Sequence, residues 1–239
     1  MWLKKLFFFF SIFIYSFSIK AQTAEQVISK YIEFTGGTQW KKITSVITSG
    51  KYNYGGMEFS FISYSKAPDL YKYAVSLNGK NYIQSYDGIK GWKIDGFNND
   101  TTPTFLTGTS AIAMANEAEV ELESALIDYS KKGHKAILEG IDTIQTIACF
   151  KIKFARKDSE TETYFFNTKS YELVMKKAVS KNAEMKKVII DTFYSDYRTE
   201  TGVKIPFKSV SKANEQTILT VMIEKIRMNE PVSDKIFQP

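Results

Sequence analysis

The sequence predicts a mainly β protein with an antiparallel sheet, an N-terminal helix and a helical insertion near the middle. Three observations predict this class. Short apolar and aromatic segments recur at close spacing, Gly-containing turns such as Gly55-Gly56, Asn78-Gly79 and Asp87-Gly88 separate them, and helical periodicity is confined to two segments. Since no repeat or low-complexity linker divides the chain, we expect one domain over residues 22–239.

The first 21 residues have the layout of a secretory signal peptide. Lys4 and Lys5 form a positive flank, residues 6–19 form an apolar run, and Ala21 is a small residue at the expected cleavage point. The run is shorter than the roughly 20 apolar residues of a spanning helix. An uncleaved N-terminal anchor is the alternative. The residue directly after Ala21 is Gln22 and not a cysteine that could carry a lipid, so we expect a soluble mature protein.

A short amphipathic helix is predicted over residues 24–34. Thr23 can cap its start, and Gly36-Gly37 ends it. Its apolar residues recur at helical spacing and are Val27, Ile28, Tyr31 and Ile32. One face of this helix must therefore pack on another element, most simply a sheet.

Strand patterns dominate from residue 43 onward, and we expect about eleven strands in all. The predicted strand segments are 43–54, 57–66, 69–77, 80–86, 91–94, 136–141, 144–155, 162–167, 171–178, 187–197, 204–211 and 217–227. Residues 95–109 resemble a loop, residues 110–129 have a helical period, and residues 229–239 are expected to be extended. A sheet of this size curls because strands twist, so the two helical segments are expected to cover its concave face.

Composition and charge exclude several classes of protein. Removing the predicted signal lowers the formal net charge from +6 to +3, because Lys4, Lys5 and Lys20 leave with it. A small, dispersed positive charge does not predict nucleic-acid binding. Lysine pairs such as Lys176-Lys177 allow attraction to anionic headgroups, although a solvated strand exterior is the simpler interpretation. Cys149 is the single cysteine, and its apolar neighbours predict a buried core residue.

The sequence offers little catalytic chemistry, so we expect a protein that is not an enzyme and that has no cofactor and no metal. His134 is the single histidine, and its lysine-rich neighbours predict an exposed turn. No nucleophile elbow, P-loop or dinucleotide fingerprint is present. Acidic residues alternate with apolar ones in the helical insertion, and this pattern favours a solvated helix face over an acid and base pair. They are Glu117, Glu119, Glu121 and Glu123.

Strand parity turns many aromatic side chains towards the interior of the curled sheet. They include Tyr52, Tyr54, Phe59, Phe61, Tyr71, Tyr73, Phe150, Phe154, Phe165 and Phe193. Such side chains can fill a core, or they can line a cavity if the sheet forms an incomplete barrel.

Several segments resemble the LolA-like outer-membrane lipoprotein-sorting proteins, in the form common in Bacteroidetes-type bacteria. The matching segments are Tyr31-Ile-Glu-Phe-Thr-Gly-Gly, Trp40-Lys-Lys-Ile, Lys66-Ala-Pro-Asp, Gln84-Ser-Tyr-Asp-Gly-Ile-Lys-Gly-Trp, Asp128-Tyr-Ser-Lys-Lys-Gly-His, Ser195-Asp-Tyr-Arg, Gly202-Val-Lys-Ile-Pro-Phe and Asn229-Glu-Pro-Val-Ser-Asp-Lys-Ile-Phe. Their order and spacing cover nearly all of the mature chain.

The resemblance implies a half-open antiparallel barrel lidded by helices. It implies a monomeric periplasmic carrier that shields lipoprotein acyl chains or another lipid on the way to the outer membrane. Inner-membrane donor and outer-membrane acceptor proteins would be its partners. The alternative is an envelope module of the same fold that binds a protein or senses lipoproteins without transport. A hydrolase with an unrecognised carboxylate pair, such as Glu121 or Asp87, is the least supported alternative.

Site residues can be nominated by strand parity, which a one-residue register error would invert. The apolar cavity is predicted to be lined by Phe59, Phe61, Tyr71, Tyr73, Phe150, Ile152 and Phe154. The predicted lid contacts are Met114, Val120 and Leu122.

Overall fold

A computed structural model describes residues 22–122, 125–157, 161–180, 185 and 187–239. The predicted signal peptide lies outside these residues. In the described part of the chain, thirteen antiparallel strands form one open sheet, and the predicted class of a mainly β half-barrel with helices is confirmed. No helix within the described ranges is both long and apolar enough to span a membrane.

Two α-helices accompany the sheet. They are α1 (Ala24–Phe34) and α2 (Gly108–Leu122). The strands are β1 (Ser45–Tyr54), β2 (Met57–Lys66), β3 (Leu70–Leu77), β4 (Lys80–Tyr86), β5 (Gly91–Asp95), β6 (Thr104–Phe105), β7 (Lys135–Ile144), β8 (Ile147–Ala155), β9 (Thr161–Asn167), β10 (Leu173–Val179), β11 (Ile189–Glu200), β12 (Val203–Ala213) and β13 (Gln216–Met228).

The start and end of α1 follow directly from its sequence. Thr23 Oγ1 accepts from the Gln26 backbone N–H at 3.2 Å, and Gln26 Oε1 accepts from the Thr23 backbone N–H at 3.0 Å. The chain leaves the helix at Gly36, whose φ is +120°. A Cβ there would lie 2.7 Å from the Gly202 carbonyl oxygen, so only glycine fits between α1 and β12.

The strand order explains how the sheet is assembled. It runs β6-β5-β4-β3-β2-β1-β13-β12-β11-β10-β9-β8-β7. Among the described residues, the β1–β13 ladder is therefore the one pairing between strands that are not consecutive, and it joins Val46 to Met228 and Tyr54 to Leu219. The sheet consists of two meanders, β1–β6 and β7–β13, that meet along this central seam.

Local irregularities bend the sheet. The register shifts at Ser49/Gly50 in the β1–β13 ladder and at Ser211/Lys212 in the β12–β13 ladder. Bulges of this kind increase the local twist and bend a strand. At Gly50 an added Cβ would overlap the Met222 carbonyl oxygen and lie 3.0 Å from the Phe61 ring. The absence of a side chain at Gly50 therefore lets β1 and β13 approach closely at the bend.

The helical insertion and the C-terminal tail differ from their predictions. We expected one helical segment over residues 110–129, but α2 is Gly108–Leu122, and residues 125–133 form turns. Asp128 has a φ of +49°, which a continuous right-handed helix does not allow. The tail is not simply extended, because Asp234–Phe237 forms a short 3-10 helix. A two-residue strand, β6, also lies inside the predicted loop.

The C-terminal 3-10 helix closes the convex face of the first meander. Phe237 is fully buried, and Val232 and Ile236 pack with it against Ile47 and Ile62. The Phe237 carbonyl oxygen accepts from Trp92 Nε1 at 2.7 Å and from Ser85 Oγ at 3.0 Å. The tail therefore covers the outer face of β1–β5 with an apolar core and two hydrogen bonds.

Replacing Phe237 by alanine removes the central side chain of this outer core. We expect Phe237→Ala to lower the free energy of unfolding by about 3–5 kcal/mol, the usual range for a large aromatic side chain in a core. Gln238→Ala, at the exposed next residue, should change it by less than about 0.5 kcal/mol. Urea unfolding followed by circular dichroism measures both, and equal stability of the two variants would contradict this role of the tail.

Candidate functional site: an apolar cleft on the concave face

One half of the concave face is covered by α1. The helix buries Ala24, Val27 and Ile28 against aromatic and aliphatic side chains of β8–β10. The Tyr31 ring lies 5.0 Å from Phe166, and burial raises the pKa of the Tyr31 hydroxyl. This half of the concave face is therefore a filled core.

Part of the other half is covered by α2. Met114 and Ala118, four residues apart, lie on one face of the helix and are buried against Tyr71. Leu106 and Tyr86 complete the contact. Ile112, on the far side of the helix, is exposed. Met114 and Ala118 are thus the side chains that α2 buries against the sheet, among those of its residues whose side chains the structure describes.

Between the areas covered by the two helices, the concave face is open. A cleft of about 760 Å³ lies there, across the β1–β13 seam. Its lining is mostly apolar and aromatic. The lining residues are Trp40, Val46, Thr48, Tyr52, Tyr54, Phe61, Ser63, Tyr71, Tyr73, Val75, Glu117, Ile205, Leu219, Val221, Ile223 and Ile226.

The register places these side chains next to one another. Val221 is opposite Tyr52 in the β1–β13 ladder, and Tyr52 is opposite Phe59 in the β1–β2 ladder. Side chains directly opposite on one face lie about 4.5–5.5 Å apart at their Cβ atoms. The Tyr52 and Phe59 rings stack at a centroid distance of 4.9 Å and an interplanar angle of 9°. The floor of the cleft is therefore a continuous apolar surface.

A small polar group stands at the side of the cleft beneath α2. The Tyr73 hydroxyl donates to Gln84 Oε1 at 2.9 Å, and Gln84 Nε2 donates to the Tyr82 hydroxyl at 2.7 Å. Burial raises the pKa of Tyr73, and the neighbouring Tyr82 hydroxyl and the Glu117 carboxylate raise it further. Tyr73 thus stays a neutral hydroxyl in this setting, and Glu117 of α2 lies near enough to influence it.

Four of the residues predicted to line a cavity lie at the cleft or next to it. Phe61, Tyr71 and Tyr73 line it. Phe59 is buried beside it, between the rings of Tyr52 and Phe97. Their contact with a ligand stays a prediction.

The other three predicted cavity residues do not reach the cleft. Phe150, Ile152 and Phe154 do lie on the concave side of β8, but α1 and the turn around Leu126 cover them. The alternation of side chains along β8 predicts the concave face for these residues. It cannot show which part of that face a helix covers. Phe165 and Phe193, also expected inward, pack with Cys149 on the opposite face of the sheet.

The predicted lid residues fall in α2. Met114 packs on Tyr71 of β3, next to the cleft. Val120 and Leu122 belong to the same helix, but their side chains lie outside the described residues. Their contact with a ligand also stays a prediction.

Sequence reasoning missed the wall of the cleft formed by β12 and β13. Leu219, Val221 and Ile223 share one face, yet Met222 and Ile218 are also apolar, so the alternation that would assign the face is weak. Trp40 was likewise not considered as part of a site. Glu117 was expected on a solvated helix face; it is exposed and also lines the cleft.

His134 does not occupy the exposed turn that its lysine neighbours predicted. It is 4 % exposed, its Nδ1 accepts from the Lys157 backbone N–H at 3.0 Å, and its ring lies 5.3 Å from Phe154. Apolar packing on Phe154 explains the burial despite the charged sequence. Among the described residues, no group of three His, Cys, Asp or Glu side chains could hold a metal ion, so we assign no metal ligand.

Solved structures of LolA-like and related proteins share the fold of this chain. A DUF1329-family protein from Desulfovibrio piger superposes with a TM-score of 0.60 at 15% identity, over 91% of this chain and 98% of that one. A LolA-superfamily protein from Nitrosomonas europaea gives 0.58 at 12% identity, over 92% and 99%.

A third structure, a domain assigned to outer-membrane lipoprotein sorting from Vibrio parahaemolyticus, gives a TM-score of 0.60 at 8% identity, over 90% of this chain and 96% of that one. The chain therefore has a LolA-like fold, and at these identities the likeness concerns the fold alone. No protein-family model and no curated protein sequence matches the chain.

Cys149 is a free and buried cysteine, and its reactivity shows whether its thiol is accessible as a nucleophile. Burial raises the pKa of its thiol to about 11. A raised pKa leaves less thiolate near pH 8, so native Cys149 should react with Ellman's reagent more slowly than the urea-unfolded chain by roughly two orders of magnitude. Rapid labelling of the folded protein, at the unfolded rate, would show that the thiol is accessible and contradict this assignment.

Proposed function

We propose that the protein is a periplasmic carrier that holds the acyl chains of a lipoprotein, or another lipid, in the cleft on its concave face. The observation that carries the proposal is the cleft itself. Its volume of about 760 Å³ lies within the range of roughly 300–1,000 Å³ that small-molecule sites occupy. Its apolar floor crosses the seam of the sheet, where neither helix covers it.

The physical reason for such a cleft is the hydration of acyl chains. Moving a chain from a membrane into water costs about 0.8 kcal/mol for each CH₂ group that becomes exposed. Val221, Ile223 and Phe61 provide apolar surface that replaces water along the chain. No covalent step is required, and we therefore propose binding and transfer without catalysis.

The contact of Met114 with the sheet supports a role of α2 in loading and release. Within the described part of the helix, Met114 and Ala118 are buried against the sheet, and a methionine adapts readily to a changed neighbour. A small displacement of α2 widens the side of the cleft at Tyr71 and Tyr73. We propose that such a displacement admits the cargo at an inner-membrane donor and releases it at an outer-membrane acceptor, with the monomer as the carrier.

A charge placed on the floor of the cleft should weaken the binding of an apolar ligand. Val221 faces the cleft, whereas the next residue, Met222, faces the opposite side of β13 and is 41% exposed. We expect Val221→Glu to weaken the binding of N-phenylnaphthylamine, an uncharged fluorescent probe, at least about tenfold, because a carboxylate would be desolvated against the ligand. Met222→Glu is the matched control and should bind like the original chain.

The material that co-purifies with the protein identifies the cargo. We expect organic extracts of protein purified from envelopes to contain an amphiphile by mass spectrometry, and extracts of the Val221→Glu variant to contain less of it. No amphiphile together with no probe uptake would contradict the carrier proposal. Recovery of a stoichiometric protein partner without lipid would favour the alternative of a protein-binding or lipoprotein-sensing module.

A further inference from the structure

Resting on the proposed function, we infer that the cleft selects amphiphiles whose head group is an ammonium, with the acyl chain on the apolar floor and the cation directed towards Glu117 and the tyrosine rings beside it. Two features of the cleft carry this inference. They are the sign of the charge in its lining and the kind of surface that surrounds that charge.

The charge in the lining is negative. Of the described residues that line the cleft, Glu117 is the one with a formally charged side chain. Its carboxylate is close enough to contribute to the raised pKa of Tyr73. Lys41, which adjoins Trp40 in the chain, directs its ammonium to Asp128 at 3.6 Å, and it is not part of the lining. The formal charge within the described lining is therefore negative, which is the sign that favours a positive ligand group.

The surface around Glu117 is aromatic. Tyr71, Tyr73 and Tyr52 line the same cleft, and the Tyr73 ring lies 6.1 Å from Tyr71 and 6.2 Å from Tyr82. The face of an aromatic ring carries negative charge density and attracts cations, most strongly those with poorly hydrated ammonium groups. A carboxylate combined with several ring faces is a suitable environment for such a group.

An anionic head group would be repelled by the same negative charge. A carboxylate or phosphate in this cleft would lie near Glu117, with no lysine or arginine among the described lining residues to neutralise it. Charges interact more strongly in a partly desolvated cleft than in water, so this repulsion would be felt in binding. Sequence patterns could not indicate this preference, because the chain as a whole has a positive net charge.

Three ligands with one chain length and different head groups test the inference. They are dodecyltrimethylammonium, methyl dodecanoate and dodecanoate, each used near neutral pH and below its critical micelle concentration. Displacement of N-phenylnaphthylamine gives their affinities. We expect dodecyltrimethylammonium to bind about tenfold more tightly than dodecanoate, the size expected for one favourable charge or cation–π contact. Methyl dodecanoate should fall between them.

The variant Glu117→Gln should bring the ammonium and carboxylate affinities to within about twofold of each other, since it removes the charge and keeps the shape of the side chain. Glu58→Gln is the matched control. It removes the same charge from the opposite face of β2, where Glu58 Oε1 accepts from Lys51 Nζ at 2.8 Å, and it should leave the preference unchanged. Glu117 is exposed, so the variant is expected to fold, and a thermal melt checks this.

The outcomes separate this inference from the proposed function. If none of the three ligands displaces the probe, or the probe itself does not bind, the carrier proposal fails and the inference fails with it. If all three bind equally, if dodecanoate binds best, or if Glu117→Gln keeps the preference, the head-group inference is overturned while the carrier proposal stands.

An ammonium can belong to an acylated polypeptide or to a free aminolipid. A diacylated cysteinyl lipopeptide with a free α-amino group, compared with the same lipopeptide after acetylation, distinguishes them. Tighter binding of the free-amine lipopeptide than of an ammonium lipid with the same two acyl chains assigns the polypeptide as the source, and weaker binding assigns the aminolipid. Equal affinity of the free and acetylated lipopeptides would contradict the requirement for an ammonium.

Discussion

The pairing of β1 with β13 is the interaction on which the rest of this structure depends. Every other ladder among the described residues joins strands that follow one another in the chain, and most of these pairs are closed by short turns. The β1–β13 ladder alone holds the two meanders together. Because the cleft takes its lining from β1–β3 on one side of this seam and from β12–β13 on the other, the cleft exists only where the seam has formed.

The two helices have unequal roles on either side of the seam. α1 buries Val27 and Ile28 completely in a core of large aromatic side chains, and it converts half of the concave face into ordinary protein interior. α2 buries Met114 and Ala118, among its described side chains, against Tyr71. Between the two helices the concave face stays open as the cleft, while the filled core lies at β8–β10.

The fold was predictable from local signals wherever those signals were strong. The capping box at Thr23, the double glycine after α1 and the glycine turns between strands gave the helix bounds and most of the hairpins. The seam was not predictable, because β13 is apolar on both faces and its partner lies at the other end of the chain.

The lining of the cleft follows from the sequence only in part. Phe61, Tyr71 and Tyr73 follow from the alternation of side chains within β2 and β3, whereas Leu219 and Val221 require knowledge of the seam. Phe150 and Phe154 lie under α1, and parity cannot reveal which part of a face a helix fills.

The seam also sets the order in which the chain can fold. Hairpins such as β1–β2 and β3–β4 need only residues that are close in sequence, so they can form early. The edge of β1 that faces β13 must wait for residues at the far end of the chain, because Val46 pairs with Met228. During synthesis, the first meander therefore carries an unpaired β1 edge with apolar side chains beside it, which is the kind of surface that chaperones bind and that aggregates form from. β13 completes both the seam and the cleft, and a chain truncated before β13 would have neither.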